Sequence, residues 1–276
     1  MKAVQQEKAR AFHDLHRSGR ILVLPNAWDA ASARIFELAG ARAVATTSGG
    51  LANAFGYPDG QKMPRALLLI AVRRICETVE VPVSVDLEAG YGDSSPEVAD
   101  SVGGVIDAGA VGVNIEDRML DPTVLVEKIT AALEVSGRKD VPLFVNARTD
   151  VYLRGAGASE ERFAEAVRRL RCYETAGAHG LFAPGLSDPD TISRLVREIH
   201  RPLNLMAFAG VPPAKELERL GVARVSVAGG PMRAAMALVR RIATELIEQG
   251  TYSGFTTQAM SSAEANEMFS RRGGSG

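Results

Sequence analysis

The sequence predicts an α/β fold: a (β/α)8 TIM-type barrel with an extra N-terminal helix and a C-terminal helical tail. Eight short apolar, β-branched runs recur at roughly thirty-residue spacing, more strands than a doubly wound sheet usually has. Each run is followed by a segment of helical period with its own start and stop signals. An Ala-Gly-Ala triplet precedes a strand three times (Ala39-Gly40-Ala41, Ala108-Gly109-Ala110, Ala176-Gly177-Ala178) and reads as the tight helix-to-strand turn.

Taken in order, residues 2–19 are polar with a helical pattern and carry no apolar signal region. Strands are expected at 21–28, 43–48, 81–88, 112–117, 142–149, 180–185, 202–208 and 224–229. They read as continuous apolar runs, which implies that both faces are buried, as in a parallel sheet. Asp29, Ser95-Pro96, Asp121-Pro122, Ser159, Asp188 and Pro212-Pro213 open helices, with cap residues or Pro in the first turn and Gly past the end. A tail helix is expected at 258–271, and the final Gly-Gly-Ser-Gly reads as a flexible end. No composition shift marks a boundary. The expectation is one barrel domain over 1–276, its core at about 20–250 and its tail at 251–276.

Composition narrows the function. The 276 residues carry 32 Lys and Arg against 33 Asp and Glu, a net charge of −1, which offers no basic stripe for nucleic acid. Hydrophobic residues at 46% with 24% charged fit an ordinary globular core. Two cysteines, Cys76 and Cys172, make no disulfide framework, and no Cys/His spacing offers a zinc site. The longest apolar stretch, 66–72, is far below the ~18 residues of a spanning helix. A reduced, cytoplasmic setting is therefore expected, with no membrane or nucleic-acid partner.

Barrels of this kind build their active site at the C-terminal ends of the strands. Strand 2 ends in Ser48-Gly49-Gly50, strand 3 in Asp86-Leu87-Glu88 ahead of Tyr91, strand 4 in Glu116-Asp117-Arg118 and strand 5 in Arg148-Thr149-Asp150; strand 7 carries Asn204. Carboxylates gathered at one mouth repel one another unless a cation lies between them. All-oxygen ligation with few protein ligands points to Mg²⁺ or Mn²⁺, so Asp86, Glu88 and Glu116 are candidate metal residues. Arg148 can hold a substrate carboxylate or phosphonate bidentately, or pair with Asp150. Ser48-Gly49-Gly50 offers a hydroxyl and unobstructed backbone N–H groups as an anion nest. Glu116-Asp117 could instead cap the next helix, although Asp121 already does so. Ala228-Gly229-Gly230-Pro231 reads as a tight turn, because Pro231 lacks the N–H a phosphate would need. His13, His16, His179 and His200 lie away from these strand ends, and both cysteines fall within outer helices. Proton transfer is thus left to carboxylates, Tyr57, Tyr91, Tyr152, Arg148 and metal-bound water.

Together LPNAWDAASARIFELAG, TTSGG, YPDG, VPVSVDLEAGYG, GVNIED and NARTD resemble the isocitrate lyase / phosphoenolpyruvate mutase superfamily, in its order and spacing from about 24 to 230. The resemblance implies an α/β barrel that binds Mg²⁺ or Mn²⁺, acts on 2-oxo-acid-like substrates through an enolate, and assembles as a tetramer with exchanged C-terminal helices. It implies that Ser48, Gly49 and Gly50 bind the substrate carboxylate. It places Asp59 near the metal, Asp86 as its direct ligand, and Glu88 and Glu116 on metal-bound waters. Arg148 and Asn204 would contact substrate.

Three departures shape the expected activity. Glu88 stands where the family usually has Asp. Only Arg118-Met119-Leu120 separates Asp117 from the next helix, where lyases carry a mobile loop with a catalytic Cys. Gly185 follows Pro184 where the lyases have Glu. The expected enzyme is a carbon–carbon lyase or decarboxylase of a small 2-oxo acid such as oxaloacetate, using Mg²⁺ and a metal-stabilised enolate, with Arg148, Glu116, Asp59 and Tyr91 as catalytic candidates. Phosphonate P–C hydrolysis or mutase chemistry at the same site is the alternative. A non-catalytic 2-oxo-acid binding protein is the third reading.

Overall fold

The computed structural model describes residues 2–270, which fall into two compact units, one ending at Ala228 and the other beginning at Gly229. The expected flexible end at 273–276 and the last residue of the expected tail helix lie outside the described residues.

The first unit begins with α1 (Lys2–Leu15), β1 (Leu22–Leu24), β2 (Asn26–Ala27), α2 (Ala30–Leu38), β3 (Val44–Thr46), α3 (Ser48–Ala54), α4 (Arg65–Thr78), β4 (Val83–Asp86) and α5 (Ser95–Asp107). It continues with β5 (Gly112–Glu116), α6 (Pro122–Lys139), β6 (Phe144–Arg148), α7 (Val151–Arg154), α8 (Ser159–Thr175) and β7 (Gly180–Phe182). Then come α9 (Pro189–Glu198), β8 (Leu203–Met206), α10 (Ala214–Arg219) and β9 (Arg224–Ser226). All pairings are parallel, in the order β1-β9-β8-β7-β6-β5-β4-β3-β2. The two ends of that order, β1 and β2, are separated only by Pro25, so the sheet is a nearly closed barrel of the expected type. The expected first strand, 21–28, is thus broken in two. Pro25 has no N–H to donate; β1 pairs with β9, and β2 with β3.

The strands correct one expectation about patterning. In β4, β5 and β6 both faces are largely buried, yet only the outer one is apolar. Val83, Val85, Val113, Ile115 and Val145 are buried and alternate with Ser84, Asp86, Asn114, Glu116 and Asn146. On the second set, Asn146 Nδ2 donates to Asn114 Oδ1 at 2.9 Å and Arg224 Nη2 donates to the same oxygen at 3.2 Å. The barrel interior therefore holds a polar cluster beside apolar side chains such as Leu24, Phe144 and Phe182, which the register sets on the same face.

Local signals explain the helix starts. Asp29, Asp121 and Asp188 accept the N–H groups of Ser32, Thr123 and Thr191. The cap of α5 is Ser94, one residue before the expected position, and its N–H donates to Glu97. Helix α1 stops at Leu15, short of the expected 19. Its Phe12 meets the Phe144 ring edge-on at 5.4 Å, and His16, just beyond it, stacks on Phe144 at 4.0 Å.

The second unit holds α11 (Gly230–Thr244), a π-helical turn (Glu245–Gln249), α12 (Ser253–Thr256) and α13 (Ser262–Ser270). Glu245 organises it by accepting from Thr251, Ser253 and Gly254. The tail helix starts at Ser262, later than the expected 258. Among the described residues no helix is long and apolar enough to cross a membrane.

Candidate active site

Strand β4 delivers Asp86 and then changes direction. The Asp86 N–H donates to Thr46 Oγ1 at 3.0 Å, and Asp86 Oδ2 accepts the Ser48 N–H at 3.2 Å. Beyond the strand Glu88, Gly90 and Tyr91 all have positive φ, of 50°, 104° and 51°. Non-glycine residues held in this region cost on the order of 1–3 kcal/mol each, so neighbours must enforce the conformation. Gln61 and Lys128 do so. Gln61 Oε1 accepts the Ala89 and Tyr91 N–H groups at 2.9 and 3.3 Å, and its own N–H donates to Glu88 Oε1 at 2.9 Å. Lys128, a buried lysine of α6, donates to the Ala89 and Gly92 carbonyls at 2.7 and 3.1 Å. Neither was legible as a site residue, because a lone Gln in a loop and a Lys on a helix carry no motif.

The register of β5 against β6 sets Glu116 opposite Arg148. Arg148 Nη1 lies 2.9 Å from Glu116 Oε2, and its Nε donates to Asp150 Oδ1 at 2.7 Å. The pair with Asp150 is therefore real, and a second pair with Glu116 joins it. Arg118 spans the remaining gap: its Nε is 3.3 Å from Glu116 Oε1 and its Nη2 is 3.4 Å from Glu88 Oε2. Asp117 neither caps a helix nor meets the other acids. Its Oδ1 accepts the Met119 and Asp150 N–H groups, and its Oδ2 accepts from Arg169 at 3.0 Å and Tyr173 at 2.8 Å.

The remaining predicted residues separate into those near the acids and those apart from them. Ser48-Gly49-Gly50 is not an open loop; it opens helix α3, with Thr47 before it. A Cβ on Gly49 would sit 2.9 Å from Asp59 Oδ2, and one on Gly50 would meet Thr47 and the Trp28 Cβ at 2.5 and 2.8 Å. Packing thus requires glycine at position 50, whereas at 49 the neighbour is the carboxylate end of Asp59, which lies against this turn. Asp59 itself is exposed, with Oδ1 accepting the Gly60 N–H at 2.9 Å. Tyr91 is half-buried, and burial, then the charges of Glu88 and Asp86, raise its phenol above the ordinary range. Asn204 is buried in the polar network, where its amide faces the Ser226 hydroxyl at 3.4 Å, and no hydrogen bond joins it to the acids. Arg224 was missed: it is fully buried and pushed down to about 9 by burial, an effect that the Asp86 charge opposes.

Electrostatics at the mouth follow from crowding. Burial first, then the charges of Asp86, Asp59 and Glu116, lift Glu88 to about 7 against the hydrogen bond from Gln61. Burial also raises Glu116, partly offset by Arg148. For Arg148 burial acts downward, and the Glu116, Asp150 and Asp86 charges outweigh it. Among the described residues no three His, Cys, Asp or Glu side chains converge closely enough to enclose a metal ion by themselves. The donor set is nonetheless all oxygen. Asp86 has no Lys or Arg ion pair among the described residues and receives only the Ser48 N–H on its carboxylate. That arrangement fits a hard ion that keeps most of its waters and does not fit zinc.

Among the described residues no thiol or imidazole joins the acids. His13, His16 and His179 gather around Phe144, with His13 and His179 in edge contact at 4.7 Å. Cys76 in α4 and Cys172 in α8 are free, and burial pushes the Cys76 thiol up to about 12.

The family model described as phosphoenolpyruvate phosphomutase matches residues 12–247. An uncharacterized protein of Mycobacterium tuberculosis is 38% identical over 231 residues, which cover 82% of this chain and 84% of that protein. The oxaloacetate decarboxylase of Pseudomonas entomophila is 30% identical over 244 residues, 83% of this chain and 80% of that protein. A crystal structure of phosphonopyruvate hydrolase with oxalate and Mg²⁺ superposes with a TM-score of 0.83 at 25% identity, covering 95% of this chain and 94% of that one.

Proposed function

The chain belongs to the phosphoenolpyruvate phosphomutase family, and from that premise we propose that it is a Mg²⁺-dependent decarboxylase or carbon–carbon lyase of a small 2-oxo acid, oxaloacetate being the best candidate. One observation carries this reading: the acids and arginines gather at the strand ends with neither a thiol nor an imidazole among them. Cleavage that releases an aldehyde or ketone needs a positioned acid to manage protons, a role typically worth 10²–10⁴-fold. Loss of neutral carbon dioxide needs an electron sink for the bond-breaking step and only a later proton at C3. The 30% identity to an oxaloacetate decarboxylase supports the same choice.

In this reading Asp86 would hold the ion, and Glu88 and Glu116 would accept hydrogen bonds from its waters. A bound Mg²⁺ or Mn²⁺ would act as a Lewis acid toward the 2-oxo and carboxylate oxygens. Ser48, Gly49, Gly50 and Arg148 receive the substrate carboxylate, with Asn204 deeper in the barrel and Asp59 beside the glycine turn. Decarboxylation would break the C3–C4 bond, its electron pair passing toward the 2-oxo group as carbon dioxide departs. C3 then takes a proton from Tyr91, whose raised phenol stays protonated at neutral pH and is reprotonated from water.

Phosphonate P–C hydrolysis is the second reading, favoured by the likeness to the phosphonopyruvate hydrolase complex with oxalate and Mg²⁺. Self-association is part of the proposal. Val239 and Ile247 are 64% and 86% exposed, and Met236, Tyr252 and Met260 are exposed with them, which supports a homo-oligomer, a tetramer on the family resemblance. The two free cysteines support a cytoplasmic setting. The test is a Mg²⁺-supplemented panel of oxaloacetate, phosphonopyruvate, methylisocitrate and 4-hydroxy-2-oxo acids with product identification. Pyruvate and carbon dioxide from oxaloacetate support the first reading, and phosphate from phosphonopyruvate alone replaces it with the second.

A further inference from the structure

The two arginines at the mouth differ in how fully they are engaged. Arg148 is 17% exposed at its side chain and makes two short contacts, 2.9 Å to Glu116 and 2.7 Å to Asp150. Arg118 is 32% exposed and makes two long ones, 3.3 and 3.4 Å. A guanidinium has five N–H donors in a planar fork, so Arg118 keeps most of its capacity while standing between two site acids.

Its placement is also built. Arg118 and Met119 both have positive φ, 49° and 62°, in consecutive non-glycine positions. The conformation persists because Asp117 pins the turn. It accepts the Met119 N–H and the Asp150 N–H on one oxygen, and Arg169 and Tyr173 on the other, while Arg169 Nη1 also donates to the Leu120 carbonyl at 2.7 Å. Strain of this size, held by a buried hub, is characteristic of positions where a side chain must be aimed.

We infer that Arg118 is a specificity-determining residue: its free guanidinium edge binds a second anionic group carried on C3 of the substrate, whether carboxylate or phosphonate, while Arg148, oriented by Glu116 and Asp150, serves the C1 carboxylate. The inference rests on the proposed site and extends it to a substrate class, 2-oxo acids bearing an anionic C3 substituent. Both planar carboxylate and tetrahedral phosphonate accept a forked arginine. Oxalate has no C3, so it probes the metal and carboxylate positions without reaching Arg118.

Calorimetry in Mg²⁺ with oxalate and with phosphonopyruvate, on wild type, Arg118→Gln, Arg118→Lys and Arg148→Gln, separates the possibilities. Arg118→Gln is expected to weaken phosphonopyruvate at least tenfold and to leave oxalate within about threefold, with Arg118→Lys recovering part of the loss. Arg148→Gln should weaken both ligands. If oxaloacetate turns over, Arg118→Gln should raise KM more than it lowers kcat, the mark of lost binding, and an unchanged KM overturns the inference. Equal loss of oxalate and phosphonopyruvate in Arg118→Gln, or no loss of either, overturns the inference and leaves the site standing. Failure of wild type to bind either ligand overturns the site reading and the inference with it.

Discussion

Arg148 Nη1 lies 2.9 Å from Glu116 Oε2 on the neighbouring strand, and both side chains are withdrawn from water, at 17% and 6% exposure. Together with the bond to Asp150, this makes Arg148 the centre of a mostly buried triad. Removing one partner of such a set leaves charges without compensation, which costs about 3–5 kcal/mol. Arg148→Ala is expected to lose that amount in urea unfolding, besides losing activity. An unfolding curve superimposable on wild type would mean the triad contributes nothing.

Asp117 makes a related prediction for the turn behind Arg118. It is buried and accepts four donors, so Asp117→Ala strands Arg169 and Tyr173 and frees the Arg118–Met119 backbone. A stability loss of about 3–5 kcal/mol is expected, accompanied by faster amide exchange at Met119. Slow exchange at Met119 in the variant would show that another contact holds the turn.

Glu88 predicts a pH dependence. Burial, followed by the Asp86 charge, places its folded pKa at about 7, above its unfolded value. Between the two values the native state binds the extra proton, so this group's contribution to stability is full below the unfolded pKa and falls as pH rises toward 7. The slope amounts to at most ~1.4 kcal/mol per pH unit. In chelator, Glu88→Gln should flatten that fall between about pH 4.5 and 7. Parallel curves for wild type and Glu88→Gln would contradict the crowding of acids at this mouth.

The barrel and its strand-end acids were legible because period, caps and the Ala-Gly-Ala turns repeat along the chain. The polar interior was less so. VSVD, GVNIE and FVNAR look apolar overall, and only the pleat shows that Ser84, Asn114 and Asn146 share an inner face. The break at Pro25 was visible as a proline but not as the seam of the sheet, since seam position depends on which strands pair. Gln61, Lys128, Arg118 and Arg224 act through backbone carbonyls, amides or charges brought together from distant positions, and no local spacing encodes that. Asp117 is adjacent to Glu116, yet one residue along a strand turns a side chain to the other face.

The cysteines give a simple negative test. Cys76 and Cys172 sit in outer helices, and the Cys76 thiol is held near 12, far from the thiolate form. The double Cys→Ala variant should keep turnover within a few-fold, any loss coming from packing. A drop beyond about a hundredfold with intact circular dichroism would put a thiol at the reacting atoms.

The most direct measurement is pyruvate formation from oxaloacetate in Mg²⁺, compared among wild type, wild type in chelator and Asp86→Ala. Oxaloacetate decays on its own with Mg²⁺, so the quantity that matters is the excess over buffer. A metal-dependent excess in wild type, reduced to the buffer rate by chelator and by Asp86→Ala with the fold intact, is the predicted result. An Asp86→Ala protein that decarboxylates as fast as wild type, or a wild type no faster than buffer, would contradict the assignment of this acid cluster as a decarboxylase site.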